Sequence, residues 1–255
     1  MTVNGKLTRG DIGHVMPVHA DPLGFTSATF VEMNQLVLTY RTDTDAAAAL
    51  LPVELEIEEN PTVSVVFVSY GFSSVGAFRE YIQTINVRFR GEDYAYVPFI
   101  YITNERGMIA GREREGLPKL LGHVDFDLSK PVQEGLVTAR LRRPSDIVLA
   151  EATFRPSEHI ADITSDNPTI LKSLGLRVFG SAVPGGPDVV SELVPASMEY
   201  TAGEMWSGAG SLAFTGASEL SPVHRLPIAG EVQAMAIRNA AARLVRPTET
   251  YPLGN

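Results

Sequence analysis

The sequence Gly-Arg-Glu-Arg-Glu-Gly-Leu-Pro-Lys-Leu-Leu-Gly occupies residues 111–122. A dense run of charge ends there in a single lysine, Lys119, set among leucines and a proline. Desolvation disfavours a charged ammonium, and a neutral lysine is a nucleophile that condenses with carbonyl compounds to give a Schiff base. We therefore predict that Lys119 is a nucleophile, although an exposed lysine in a turn is the commoner outcome for these residues alone.

The composition is that of an ordinary globular protein. The 255 residues are 44% apolar and 20% charged, and the formal net charge is -9. This acidity argues against nucleic acid as a main partner, because phosphate binding requires a basic surface. The absence of cysteine excludes disulfides, thiolate nucleophiles and cysteine-bound metals. We see no signal-peptide core and no apolar run of about 18 residues, and we therefore expect a cytoplasmic protein that does not span a membrane.

Most of the elements that the pattern predicts are strands. β-branched and aromatic residues predict a strand over residues 28–42, and a capping residue within 42–45 ahead of an alanine run predicts a short helix that ends before Pro52. Apolar residues at helical spacing predict a long helix over residues 230–245, ended by Pro247. The remaining predictions are a short helix over 105–113 and strands over 53–57, 62–70, 81–90, 95–103, 122–128, 136–141, 147–154, 189–200 and 211–215.

Many strands with few helices predict an α+β, β-rich fold. We expect residues 28–255 to form a single domain, a barrel or half-barrel with a long C-terminal helix, because no linker divides the chain. A barrel of this kind holds a small ligand in its interior. Residues 1–27 show no sustained periodicity, and we predict that they form an irregular N-terminal arm.

Two short motifs flank the candidate nucleophile, Gly111-Arg112-Glu113 and Pro118-Lys119. Together they resemble the motif of the acetoacetate decarboxylase superfamily, whose lysine forms a Schiff base with an oxo acid. Further similarity lies at residues 40–43, 61–68, 204–208 and 226–227, so that the likeness covers nearly the whole chain. The resemblance implies antiparallel β-barrel or cone-like sheets around a pocket, with Lys119 as the imine-forming residue.

The resemblance also suggests other catalytic residues. Glu80 matches an active-site glutamate of the superfamily, and a carboxylate beside a Schiff base serves for proton transfer or for orienting the substrate. Glu115, four positions before Lys119, is a candidate acid or base, with a solvated charge as the alternative. Tyr251, in the C-terminal tail, is a candidate proton donor to a leaving hydroxyl.

Two residues are candidates for binding the substrate. Arg112 suits a substrate carboxylate, although a structural ion pair with Glu80 or Glu113 is the commoner role for such an arginine. Tyr81 follows Glu80 on a predicted strand, so that the two side chains point to opposite faces and at most one of them lines the cavity.

Three positions depart from acetoacetate decarboxylase. Leu120 stands where that enzyme has a second lysine, while Val66 and Met33 fall where it has a glutamate and an arginine. These losses suggest that the imine is kept and the reaction has changed. Our leading hypothesis is aldol condensation of pyruvate with an aldehyde followed by dehydration, a reaction of some superfamily members. The alternatives are decarboxylation of acetoacetate by the same imine, and a non-catalytic barrel that binds a small molecule.

We expect neither a metal nor a cofactor. The five histidines lack metal-ligand spacing, no phosphate-binding loop is present, and the lysine iminium is itself the electron sink. The expected partners are a small oxo acid and an aldehyde co-substrate, with no nucleic acid and no membrane. The resemblance further implies a homo-oligomer.

Overall fold

The fold is built almost entirely from strands. The computed structural model describes residues 2–13, 15–19, 28–128, 135–162 and 168–254. Within these ranges the α-helices are α1 (Thr44–Ala48) and α2 (Glu105–Glu115). The strands are β1 (Thr29–Arg41), β2 (Thr62–Ser73), β3 (Phe78–Phe89), β4 (Glu92–Ile102), β5 (Lys119–Leu121), β6 (His123–Phe126), β7 (Val137–Arg142), β8 (Val148–Asp162), β9 (Thr169–Phe179), β10 (Val190–Thr201), β11 (Glu204–Ala213), β12 (Ala229–Val245) and β13 (Tyr251–Pro252).

Seven of these strands close into a barrel, in the order β10-β9-β4-β3-β2-β1-β12, because β12 also pairs with β10. The β4–β9 pair is parallel, and the other neighbours around the barrel are antiparallel. Beyond β12 the sheet continues through β11, β8, β7 and β6. This arrangement confirms the predicted β-rich fold with a barrel around a pocket.

The barrel strands separate two apolar regions. The outward faces of β1 to β4 pack against β6, β7 and β8, and they contribute residues such as Tyr40, Phe67 and Tyr81 to the larger core. The inward faces surround a cavity. Because side chains alternate along a strand, Glu80 and Ile82 on β3 line that cavity while Tyr81 lies in the outer core.

The predicted C-terminal helix is wrong, because residues 229–245 form strand β12. Alanine favours helix in isolation, but pairing with β1, β10 and β11 decides the conformation of this segment. The misleading periodicity has a structural cause. At Asn239, which has φ 54°, the register against β1 shifts at a β-bulge. Ala236 therefore faces the outer core and Ala240 the inner one, which breaks the two-residue alternation.

The short helix predicted before Pro52 is confirmed as α1. Asp43 caps α1 by accepting a hydrogen bond from the Ala46 amide at 2.8 Å. The β3–β4 hairpin turns through Arg90 and Gly91, both at positive φ, as a two-residue turn matched to strand twist requires. The strand predicted over 53–57 is mostly loop, with one bridge from Glu56 to Arg88.

The described residues of the N-terminal region form little regular structure. The predicted arm, residues 1–27, lies partly outside the described residues, and its described parts hold one 3-10 turn, Arg9–Asp11. Among the helices in the described ranges, none is both long enough and apolar enough to cross a membrane.

Candidate active site

Helix α2 and the turn after it present Lys119. The helix begins after Asn104, whose side chain accepts a hydrogen bond from the Gly107 amide at 2.8 Å, and it ends before Gly116 at φ 65°. A left-handed residue of this kind ends a helix and turns the chain, and glycine adopts that conformation without strain. The chain then enters β5, where Lys119 pairs with Ile100 on β4. The lysine is thus held between a helix and the barrel wall.

Gly111 is the surface on which the lysine side chain lies. A Cβ atom at this position would lie 2.6 Å from Lys119 Cδ and 3.2 Å from Nζ, closer than side-chain atoms approach. Only glycine leaves room for the lysine to cross the helix and reach the cavity. The Gly-Arg-Glu motif therefore has a physical basis, because its first residue leaves the space that the Lys119 side chain occupies.

Lys119 and Glu80 form a buried ion pair inside the barrel. Lys119 Nζ donates a hydrogen bond to Glu80 Oε1 at 2.6 Å, and the side chains are 12% and 3% exposed. The hydroxyl of Tyr70 donates to the other carboxylate oxygen of Glu80 at 2.9 Å. Burial and the neighbouring Glu80 charge raise the pKa of Tyr70 well above its ordinary value, so that the phenol stays a donor. The carboxylate is therefore oriented from one side and faces the amine on the other.

Glu115 is a second buried carboxyl group in the cavity wall. Burial raises its pKa above the ordinary value, and nearby positive charges on Lys119, Arg246 and Arg114 oppose that shift in part. Arg246, which sequence reasoning missed, also lines the cavity. The site thus holds a carboxyl group that accepts a proton more readily than a solvated one would.

The cavity around this pair has a volume of about 440 Å³ and largely apolar walls. The polar residues that line it besides the ion pair and Glu115 are Gln35, Tyr70, Ser73, Ser74, Thr84, Lys172, Ser173, Tyr200 and Arg246. A volume of this size falls within the range of small-molecule sites in proteins. The apolar side chains of the wall come from six barrel strands and include Phe30, Met33, Val66, Val68, Phe78, Ile82, Val97, Met198 and Leu244.

Tyr200 is a further residue that sequence reasoning missed. It lies on β10 and lines the cavity, and its buried hydroxyl has no hydrogen-bond partner among the described residues. Burial raises the pKa of Tyr200 to about 12, which keeps the hydroxyl neutral. Tyr200 is close enough to Tyr70 to help raise the pKa of that residue. A buried hydroxyl without a partner is costly, and a bound ligand would satisfy it.

Three predicted site residues lie outside the cavity. Tyr81 is buried in the outer core and donates its hydroxyl hydrogen to Gln83 at 3.1 Å. Arg112 donates to the backbone oxygen of Lys119 at 3.4 Å and does not line the cavity. Of the predicted set, the structure brings together Lys119, Glu80 and Glu115.

Tyr251 lies far from the lysine within this chain. Its ring packs on Phe89 with centroids 5.1 Å apart, and its hydroxyl donates to Glu249 at 2.6 Å. Phe89 is nine positions from Glu80 along β3, which corresponds to roughly 30 Å of strand. The structure therefore does not bring Tyr251 to the site.

The three positions that depart from acetoacetate decarboxylase separate into two groups. Val66 and Met33 line the cavity, whereas Leu120 packs against the outer core. The first two alter the polarity of the cavity wall, and the third does not touch it. No group of three or more His, Asp or Glu side chains that could hold a metal occurs within the described ranges.

The fold and the buried Lys119–Glu80 pair define a barrel protein with an internal small-molecule site. The sequence profile of a family described as acetoacetate decarboxylase (ADC) matches residues 15–249. Decarboxylase DEC1 of Cochliobolus heterostrophus is 32% identical over 242 residues, which cover 94% of this chain and 95% of that protein. Acetoacetate decarboxylase 1 of Bradyrhizobium diazoefficiens is 30% identical over 216 residues, covering 81% of this chain and 80% of the relative. The chain belongs to the acetoacetate decarboxylase family.

Solved structures share the fold. An acetoacetate decarboxylase from Legionella pneumophila matches with a TM-score of 0.80 at 21% identity, covering 100% of this chain and 98% of that one. The enduracididine biosynthesis enzyme MppR, complexed with the condensation product of pyruvate and imidazole 4-carboxaldehyde, matches with a TM-score of 0.77 at 18% identity, covering 97% and 98%. At these identities the likeness establishes the fold. The family and its curated relatives support an enzyme of the decarboxylase and lyase class.

Proposed function

We propose that this chain is a lyase that forms a Schiff base between Lys119 and an oxo acid, and that its reaction is the decarboxylation of a 3-oxo acid. The observation that carries the proposal is the amine of Lys119, paired with Glu80 at 2.6 Å inside a largely apolar cavity. At that distance Glu80 is placed to take a proton from the ammonium and return it later. The named decarboxylases among the relatives support the same reaction.

The reaction balances with these groups, water and one proton from solvent. Glu80 accepts a proton from Lys119, the free amine adds to the ketone carbon, and Glu80 returns the proton to the carbinolamine hydroxyl, which leaves as water to give an iminium. The bond to the carboxylate carbon then breaks, carbon dioxide leaves, and its electron pair moves into the iminium to form an enamine. Glu80 relays a proton from solvent to the enamine carbon, and water hydrolyses the new iminium to release the ketone and the protonated lysine.

The apolar wall favours the bond-breaking step. A carboxylate is poorly stabilised away from water, and it loses its charge as carbon dioxide forms. The transition state therefore suffers less from desolvation than the bound substrate does. Tyr70 and Tyr200 remain neutral in this environment, so that they add hydrogen-bond donors without adding charge.

Condensation of pyruvate with an aldehyde, followed by dehydration, is the second candidate. The cavity volume of about 440 Å³ favours it, because two small reactants fit there together. The condensation product that MppR binds is consistent with such chemistry on this fold. Both candidates use the same lysine, and a barrel that binds without turnover remains the third.

Borohydride trapping tests the proposal. Acetoacetate with borohydride should add the mass of a reduced imine to Lys119, located by peptide mass spectrometry, and carbon dioxide should be released without borohydride. Lys119→Arg is the matched control, because it keeps the cation beside Glu80 and cannot form this imine. Trapping without carbon dioxide release, together with absorbance growth from pyruvate and an aromatic aldehyde, would favour the second candidate. No adduct with either oxo acid would leave only the binding protein.

Three other expectations stay part of the proposal. We propose a homo-oligomer in the cytoplasm that turns over without a metal or cofactor. Light scattering of the purified chain tests the assembly, and fractionation of cells tests the location. Full turnover after dialysis against a chelator is the result expected from an imine mechanism.

A further inference from the structure

The cavity is larger than a four-carbon oxo acid requires. Its volume is about 440 Å³, whereas a molecule the size of acetoacetate fills roughly 120 Å³, on the scale on which one water takes about 30 Å³. The remaining space is continuous with the Lys119–Glu80 pair, since the same cavity holds both. From this geometry we infer a binding subsite for an apolar tail, so that the substrate is a 3-oxo acid with an extended hydrocarbon chain. This inference rests on the proposed function.

Strand register places the subsite. On the cavity face of the β2–β3 pair, Glu80 is opposite Val68 and Ile82 is opposite Val66. Moving two residues along a strand advances about 7 Å, so Val66 and Ile82 form the next layer of wall beyond the ion pair. Val97 from β4 and Met198 from β10 line other parts of the same cavity wall. We call Val66, Ile82, Val97 and Met198 together the tail subsite.

The chemistry of the wall matches an alkyl chain. The tail subsite carries no charge and no hydrogen-bonding side chain, and its members are branched aliphatics with one adaptable methionine. Gln35 and Thr84 also line the cavity. Thr84 follows Ile82 on the same face of β3, so that the apolar layer has a polar end. Val66 also stands where we align a glutamate of acetoacetate decarboxylase, and its side chain makes this layer apolar throughout.

The energetic consequence is measurable. Burying one methylene in an apolar site strengthens binding about fourfold. A ketone whose tail fills the subsite should therefore occupy Lys119 at far lower concentration than acetone does. If the volume instead serves a second small reactant, lengthening a single ketone should bring no such gain.

The experiment uses the full chain and the homologous ketones acetone, 2-pentanone, 2-heptanone and 2-nonanone. Each is titrated in the presence of borohydride, and the concentration for half-maximal labelling of Lys119 is read by mass spectrometry. We expect the concentration for half-maximal labelling to fall roughly 16-fold for each two added methylenes. This concentration should stop falling once the tail is long enough to pass Ile82 and reach Thr84. Labelling that is independent of chain length, or weaker for longer ketones, overturns the inference.

Variants and a non-reactive probe complete the test. Val66→Phe fills the tail subsite and should lower the preference for 2-nonanone over acetone by at least tenfold. Val53→Phe, the same change at an exposed position, should keep the wild-type preference. Should Val66→Phe fail to fold, the ketone series in the wild-type chain stands alone.

Titration calorimetry with 2-nonanol distinguishes failure of the tail subsite from failure of the proposed function, because an alcohol cannot form an imine. Binding of 2-nonanol without any ketone labelling would mean that the tail subsite exists and the proposed function fails. Acetone labelling with no binding of 2-nonanol would mean that the imine forms and the tail subsite fails.

Discussion

Gly111→Ala tests whether the helix surface positions the nucleophile. The new Cβ would lie closest to Lys119 Cε and 2.6 Å from Cδ, and ordinary contact begins near 3.4 Å. The lysine must therefore retreat by more than about 0.8 Å, and its Nζ must leave a hydrogen bond of 2.6 Å to Glu80. The lysine is the flexible partner in this clash, and it will move before the helix does.

The expected effect falls on activity and hardly on stability. A misplacement of about 1 Å at a reacting group costs about 100-fold in rate. In the helix interior, alanine is favoured over glycine by up to about 1 kcal/mol, which offsets the cost of moving the lysine chain. We therefore expect borohydride trapping of acetoacetate to slow about 100-fold while the free energy of unfolding changes by about 1 kcal/mol or less.

The assay compares trapping rate with urea unfolding, and Gly107→Ala is the matched control. It makes the same change four residues earlier in α2, where the Cβ meets Ile102 Cδ1 at 2.8 Å and no lysine atom is nearby. That variant should lose about 1–3 kcal/mol of stability by overpacking and trap substrate close to the wild-type rate. Wild-type trapping by a folded Gly111→Ala protein would refute the steric argument.

Three further predictions follow from the same site. Glu80→Gln keeps the size of the side chain and removes its proton-accepting charge, so turnover should fall by about 100- to 10,000-fold. A loss of turnover below tenfold in a folded variant would show that Glu80 does not transfer the proton. Tyr200→Phe removes a buried hydroxyl that has no partner among the described residues, so the free energy of unfolding should rise or stay the same while turnover falls. Unchanged turnover would show that the substrate does not use this hydroxyl. Burial raises the pKa of Glu115 above its ordinary value of 4.5, so its favourable contribution is present below that pH and is lost as pH rises through the folded value. Urea midpoints should therefore show Glu115→Gln gaining stability relative to wild type as pH rises from about 4 to 8, whereas parallel curves would contradict the shift.

Much of the site could be predicted because local sequence determines it. The glycine motif, the helix cap at Asn104 and the left-handed Gly116 lie within 15 residues of Lys119, so local sequence determines how the lysine is presented. The partner Glu80 lies 39 residues away, and only the family resemblance identified it. Tyr70 and Tyr200 show no local signal, because their roles arise from positions on β2 and β10 that only barrel closure brings together.

The fold was predictable in class and less so in particular strands. The prediction for β12 is wrong because its alanine-rich sequence has apolar residues at helical spacing. The bulge at Asn239 breaks the two-residue alternation of the strand, so the sequence pattern does not resemble that of a regular strand. β9 was missed, although its Thr169–Phe179 segment closes the barrel against β4. Pairing over such sequence distances is a property of the whole sheet, and no local propensity reports it.

The positions that depart from acetoacetate decarboxylase carry a different meaning once the barrel is known. From sequence, Leu120, Val66 and Met33 together suggested a changed reaction. In the structure Leu120 faces the outer core, whereas Val66 and Met33 border the cavity. The two cavity positions therefore bear on what the site accommodates more directly than on how the imine reacts. Val66 and Met33 place hydrocarbon where acetoacetate decarboxylase has charged side chains, in the same cavity as the Lys119–Glu80 pair. This is the wall expected when the proposed chemistry is kept and the substrate is longer.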